Sequence, residues 1–167
     1  MNAPFRFETL TDQHDRKMFS CGQDALDRYF QTQVSQDIRR HIANCFLAIE
    51  NGTDAIAGFY TIASAGIPMT ELPPEITKRL PRYPSIPAVR IGRLAVALPF
   101  RGKGLGSALL ADAILRVFSA PPATFAMLVD AKDEQAVAFY RHHGFMPLAS
   151  QPMTLFLPMA TAAKLVG

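Results

Sequence analysis

Arg101-Gly102-Lys103-Gly104-Leu105-Gly106 is the stretch on which the reading of this chain turns. Before it, Val89 to Ala97 sets Val89, Ile91, Arg93 and Ala95 against Arg90, Gly92, Leu94 and Val96, a strand with apolar groups on both faces and so a central one. After it, Ser107 to Phe118 places Leu110, Ile114 and Val117 on one helical face, with Leu109 and Ala113 beside them and Asp112 and Arg116 as an exposed i,i+4 pair. A strand that runs into a glycine loop and then opens a helix aims backbone N–H groups and the positive helix end at one point, which suits an anion. A side chain at Gly102 or Gly104 would hold a phosphate off the backbone, and Arg101 and Lys103 can add charge-assisted contacts. The glycine spacing is neither the G-x-G-x-x-G of a dinucleotide fold nor that of a Walker loop. Taken alone, the stretch is a turn that fits a pyrophosphate.

Working outward toward the N-terminus, Pro68, Pro73, Pro74, Pro81, Pro84 and Pro87 fall between Gly66 and Pro87. They remove backbone donors and fix φ, so the segment reads as a long connection with room for a short helix over Pro74 to Leu80. Asn44 to Glu50 and Ile56 to Ser64 are β-type runs flanking Asn51-Gly52, which predicts an antiparallel hairpin. Leu26, Phe30, Val34 and Ile38 recur every four residues with Tyr29 beside them, which predicts an amphipathic helix over Cys21 to Arg40. Ser20 with Gln23 has the spacing of a capping box.

Toward the C-terminus, Pro121-Pro122 ends the helix that follows the loop. Thr124 to Asp130 reads as a buried strand, Glu134 to His142 as a helix stopped at Gly144, and Met153 to Leu157 as a last strand. No internal repeat or linker interrupts the order, and residues 1–167 read as a single domain.

The 167 residues are 49% hydrophobic and 19% charged, enough to build one sizeable core. Cys21 and Cys45 have neither metal-binding spacing nor the density of a disulfide scaffold, and read as thiols in a reducing compartment. Met1 to Leu10 has no apolar signal-peptide core and no membrane-spanning run, so a cytoplasmic protein without membrane association is expected. The net charge of +3 is too small to imply nucleic acid by itself. The four histidines have no ligand spacing with carboxylates or thiols, and no metal site is expected.

Arg101 to Gly106 after Arg93-Leu94-Ala95-Val96 resembles the acyl-CoA signature of the GNAT superfamily, R/Q-x-x-G-x-G/A after a central strand. Ala136, Phe139-Tyr140 and Gly144-Phe145 resemble its second element, A-x-x-(F/L)-Y-x-x-x-G-F. Where the superfamily commonly has an Asn that touches the cofactor, this chain has Asp133. The resemblance implies an α/β (α+β) GNAT fold: a central mixed, mostly antiparallel sheet splayed between its central strands and flanked by helices. It also implies acetyl-CoA as donor, no metal, a pantetheine arm bonded along Leu94, Ala95 and Val96, and cofactor contacts from Arg101, Gly102, Lys103, Gly104, Leu105, Gly106, Ser107, Asp133 and Ala136. The thioester would then lie beside Tyr140.

Acetyl transfer from a thioester to an amine needs a neutral amine, a stabilised oxyanion and a proton for the departing thiolate. Tyr140 can supply that proton, its reference pKa near 10 being close to that of an alkyl thiol; packing on the sheet is the alternative. No general base declares itself, His142 and His143 being the nearest titratable pair and a solvated helix end the plainer reading. An α-amino group, with a reference pKa near 8, needs little help from a base.

A narrower resemblance, to the GNAT toxins of bacterial toxin–antitoxin pairs, rests on Phe19-Ser20-Cys21-Gly22, Leu26-Asp27, Tyr29-Phe30, Gly92 to Val96 and Asp130-Ala131-Lys132-Asp133. It implies an N-acetyltransferase acting on the α-amino group of aminoacyl-tRNA, a ribbon-helix-helix antitoxin as partner, and a homodimer. Phosphate contacts would come from Arg39, Arg40, Lys78, Arg79, Arg82, Arg90 and Arg93, although Arg93 on the central strand could instead be an internal ion-pair partner. An ordinary metabolic or protein N-acetyltransferase, or a silent acyl-CoA-binding module, would use the same loop.

Overall fold

The computed structural model describes residues 4–166, with side chains to Lys164; residues 1–3 and 167 of the expected span lie outside them. Seven strands form one sheet in the order β1-β2-β3-β4-β5-β7-β6. They are β1 (Phe5–Thr9), β2 (Asn44–Glu50), β3 (Ile56–Pro68), β4 (Ser85–Val96), β5 (Ala126–Asp130), β6 (Met146–Pro147) and β7 (Thr154–Pro158). β4 and β5 run parallel, whereas β1–β2, β2–β3, β5–β7 and β6–β7 are antiparallel. The sheet is thus mixed and mostly antiparallel, as expected, and β4 is its middle strand. The chain divides into two compact units, Met1–Ala63 with Gly92–Ala113, and Ser64–Ile91 with Ile114–Gly167. The divisions fall inside β3, β4 and the helix after the glycine loop.

In the first unit, the expected helix over Cys21 to Arg40 is shorter and not uniform. It consists of α1 (Asp24–Arg28), a π-helical turn (Tyr29–Gln33) and α2 (Val34–Arg39). The sequence contains the reason. Apolar residues spaced strictly by four overshoot a 3.6-residue turn by about 40° at each step, and one wider turn takes up the drift. Phe30 and Val34 are thereby both fully buried. The capping box does not form: Gln23 makes no side-chain cap, and Asp27 instead accepts from the Cys21 N–H at 2.8 Å and from the Ser20 hydroxyl at 3.3 Å. A carboxylate one turn inside the helix reaches both donors of the entering chain.

The core of this unit is aromatic. Phe30 stacks on Phe59 with ring centroids 4.3 Å apart, and Phe19 packs edge-on to Phe59 at 5.4 Å. Phe5–Thr9, where the sequence predicted no element, pairs with β2 from Phe5↔Glu50 to Thr9↔Phe46. The hairpin forms as expected, but its connection takes five residues, Asn51 to Ala55, with Gly52 and Asp54 at positive φ. Asp112, expected on an exposed face, is half-buried and accepts from the Tyr60 hydroxyl at 2.6 Å.

The second unit packs Ile67, Leu72, Ile86, Ala88, Ala126, Leu128, Leu148 and Phe156 around β5. β5 is flanked by the Ala88–Ile91 part of β4 and by β7. The proline-rich connection is shorter than the sequence suggests, because β3 continues to Pro68 and β4 already includes Pro87. Both prolines sit near strand ends, where a missing donor is tolerated, and the Pro87 carbonyl still accepts from Phe125 at 2.9 Å. Helix α3 (Pro74–Thr77) occupies the expected place with fewer residues. The expected strands Thr124 to Asp130 and Met153 to Leu157 are Ala126–Asp130 and Thr154–Pro158, while β6 and the terminal helix α6 (Met159–Val166) were not signalled. Among the described residues neither cysteine is in a disulfide, and both are buried.

Candidate active site

Beyond Val96 the chain is pinned to its own unit before it reaches the glycines. Ala97 donates to the Ala57 carbonyl at 2.8 Å and Leu98 to the Ser20 carbonyl at 2.9 Å, and a 3-10 turn follows at Leu98–Phe100. Gly102 and Gly104 then take φ of +76° and +75°, and α4 (Leu105–Ser119) begins immediately afterwards. Two left-handed residues in so short a span turn backbone N–H groups to one side. A Cβ built at either glycine would meet nothing within 4 Å, so space is open where a phosphate would approach. The helix starts two residues earlier than expected and takes Gly106 and Ser107 into its first turn, the positive end of the helix dipole. The loop therefore fits a pyrophosphate.

The two cations of the loop differ. The Arg101 guanidinium donates to the Cys21 carbonyl, while the Lys103 ammonium lies 5.5 Å from the Phe100 ring centroid. Ala95 is buried between half-buried Leu94 and Val96. Its carbonyl oxygen would lie 2.8 Å from a Cβ at Gly58, so only glycine at that position of β3 lets the two strands come this close.

In the second unit, Asp133 accepts from the Ala136 N–H at 2.8 Å and caps α5 (Glu134–His142). The helix ends at Gly144, at φ +95°, with the Phe145 N–H returning to the Tyr140 carbonyl at 3.1 Å. That return sets the Phe145 ring edge-on to Tyr140, centroids 5.5 Å apart, and Tyr140 is 7% exposed. Burial, aided by the charge of Asp130, pushes the phenol up to about 12. The phenol therefore lies above the reference value from which its match to a thiol was argued, and it stays protonated at neutral pH. His143 is held below the usual histidine range, first by burial and then by neighbouring His142, and its ring lies edge-on to Phe139 at 4.9 Å. Its neutral form is favoured at neutral pH.

The cations expected to meet phosphate fall into three states. Arg39, Arg40, Lys78, Arg79 and Arg82 are exposed. Arg90 is paired with Asp130, whose other oxygen takes the Thr154 hydroxyl at 2.9 Å. Arg93 forms no ion pair among the described residues and lies with its guanidinium carbon 3.8 Å from the Tyr29 ring centroid. Tyr83, 59% exposed beside Arg82, was not among the expected contacts; an aromatic directly after the basic run Lys78 to Arg82 was the available signal. Among the described residues no His, Cys, Asp or Glu group could hold a metal, and no helix is long and apolar enough to cross a membrane.

The sequence profile of the acetyltransferase (GNAT) family matches residues 7–145. A tRNA-acetylating toxin of Mycobacterium tuberculosis (strain ATCC 25618 / H37Rv) is 33% identical over 168 residues, covering 99% of this chain and 97% of its own. The solved structure of AtaT complexed with acetyl-methionyl-tRNAfMet superposes with a TM-score of 0.88 at 30% identity, over 98% of this chain and 99% of that one. A tyrosine-to-phenylalanine mutant of the AtaT toxin, bound to the C-terminus of the antitoxin AtaR and to acetyl-CoA, gives a TM-score of 0.81 at 27% identity, covering 98% of each chain.

Proposed function

The chain belongs to the acetyltransferase (GNAT) family, and from that premise we propose that it transfers the acetyl group of acetyl-CoA to the α-amino group of an aminoacyl-tRNA, as a toxin that blocks translation. The observation that carries this reading is the likeness, along nearly the whole chain, to AtaT with its acetylated methionyl-tRNA. An antitoxin of the ribbon-helix-helix kind, a second copy of the chain and a cytoplasmic location belong to the same reading.

The chemistry divides among separate groups of residues. Gly102 and Gly104, at the positive end of α4, receive the pyrophosphate of acetyl-CoA, with Lys103 as the nearer free cation, and the backbone of Leu94 to Val96 bonds the pantetheine arm. The amine nitrogen forms its bond to the acetyl carbon as the carbon–sulfur bond breaks; the amine loses a proton and the thiolate gains one. Tyr140, protonated across the physiological range, donates that proton. The exposed cations Arg39, Arg40, Lys78, Arg79 and Arg82, with Tyr83, contact the RNA backbone and its bases.

Incubation with labelled acetyl-CoA and total charged tRNA tests the reading. Label should appear on the aminoacyl 3′ end of tRNA. Label confined to small amines or protein, with none on tRNA, would overturn it.

A further inference from the structure

Arg93 differs from every other cation considered for substrate. Its guanidinium lies over Tyr29, which is itself 8% exposed and donates its hydroxyl to Asp37 at 2.7 Å; the other Asp37 oxygen takes the Gln33 side-chain amide at 3.2 Å. The platform therefore cannot turn away. The backbone of Arg93 is held as well, its N–H donating to the Thr61 hydroxyl at 3.1 Å with Thr61 1% exposed. A Cβ at Gly92 would lie 3.0 Å from that same oxygen, which is why a glycine precedes Arg93.

Stacking engages the face of a guanidinium and leaves its N–H edge for other partners. Among the described residues no acceptor takes a hydrogen bond from the Arg93 side chain and no carboxylate pairs with it, although the residue is exposed. Arg16, Arg90 and Arg101 have by contrast given their N–H groups to Phe30 and Ser35, to Asp130 and to Cys21. A planar fork held flat, with its edge unspent, matches the two non-bridging oxygens of a phosphodiester. The glycine loop assigned to the donor's pyrophosphate is further along: from Arg93 to Val96 alone, β4 advances about 10 Å, and the loop comes after that.

We propose that Arg93, stacked on Tyr29, is a specificity-determining contact to a phosphodiester of the acceptor strand, by which the site tells an RNA-borne amine from a free one. This rests on the aminoacyl-tRNA reading above, and the test separates the two. Two acceptors are compared: a trinucleotide CpCpA carrying the aminoacyl group, and aminoacyl-adenosine, which has no phosphodiester. Arg93→Gln and Tyr29→Leu should raise KM for the trinucleotide about ten- to a hundredfold while leaving KM for aminoacyl-adenosine and acetyl-CoA unchanged. Arg93→Lys, which retains charge without the fork, should fall between, and it keeps the proposal testable if either other variant fails to fold. Direct titration of folded Arg93→Lys with uncharged CpCpA should show the same weakening without turnover. Equal losses on both acceptors, or none on either, would overturn the proposal while the aminoacyl-tRNA reading stands. A wild-type protein that acetylates neither acceptor would overturn both.

Discussion

The guanidinium of Arg101 donates to the carbonyl oxygen of Cys21, 80 residues earlier in the chain. The first cation of the glycine loop thus fastens the loop to the turn before α1, at Gly22, where φ is +87° and a Cβ would press within 3.3 Å of that guanidinium. Lys103 has no such duty. Arg101→Ala should therefore lower the melting temperature as well as raise KM for acetyl-CoA, whereas Lys103→Ala should raise KM alone. Thermal melts beside initial-rate kinetics separate the two.

Gly104 at φ +75° faces open space, so a substitution there acts through strain and obstruction rather than collision within the fold. Gly104→Val should cost about 1–2 kcal/mol of stability from the left-handed backbone and weaken acetyl-CoA binding at least about tenfold, by filling the approach to the backbone N–H groups. Calorimetric titration with acetyl-CoA measures the second effect; unchanged affinity would remove the loop from the donor site.

For Tyr140 the sign of the pKa shift sets the pH profile. The phenol is the donor only while protonated, and with its pKa raised to about 12 it is lost only as pH rises through that value, so at pH 10 about one molecule in a hundred is ionised. kcat/KM should rise with pH as the acceptor amine deprotonates near its reference value of about 8, then stay level to pH 10. Tyr140→Phe should lower kcat about a hundredfold or more with KM for acetyl-CoA nearly unchanged. A near-wild-type rate would leave Tyr140 as packing only.

Lys78, Arg79 and Arg82 are exposed, so their contribution to RNA binding should be electrostatic and screened. Neutralising all three should weaken tRNA binding most at low salt and reduce the slope of log affinity against log salt by about 2, near 0.7–0.9 for each phosphate that is no longer neutralised. Binding assays at several salt concentrations provide the slope. Acetyl-CoA binding should not respond.

Phe30 is fully buried and stacked on Phe59. Phe30→Ala should cost about 3–5 kcal/mol, read as a shift in the urea midpoint.

How much of this was legible in the sequence depended on whether the signal was local. The glycine loop, α5 and β2 were read closely, because clustered glycines, a helix stop at Gly144 and unbroken apolar runs act within a few residues. β1 was missed: Phe5 and Phe7 alternate with Arg6 and Glu8, but only pairing with β2 makes so short a run a strand. β6 has two residues and no pattern of its own. At the site, the positions of Tyr140 and Arg93 in the chain could be read, but their environments could not. The burial that raises one phenol depends on how its helix packs, and the ring that lies under one guanidinium comes from 64 residues earlier in the chain.

The π turn at Tyr29–Gln33 holds one residue more per turn than an α-helix would. Chain length at this point is therefore a variable in its own right. Deleting a single residue there would rewind the segment as α-helix, four α-helical residues turning through nearly the angle of five in the wider turn, so that Tyr29 and Val34 would keep their faces while the segment shortened by about 1.5 Å. The turn is a place where a lineage, or a protein engineer, can change the count of residues without exchanging the helix faces that carry Phe30, Val34 and Tyr29.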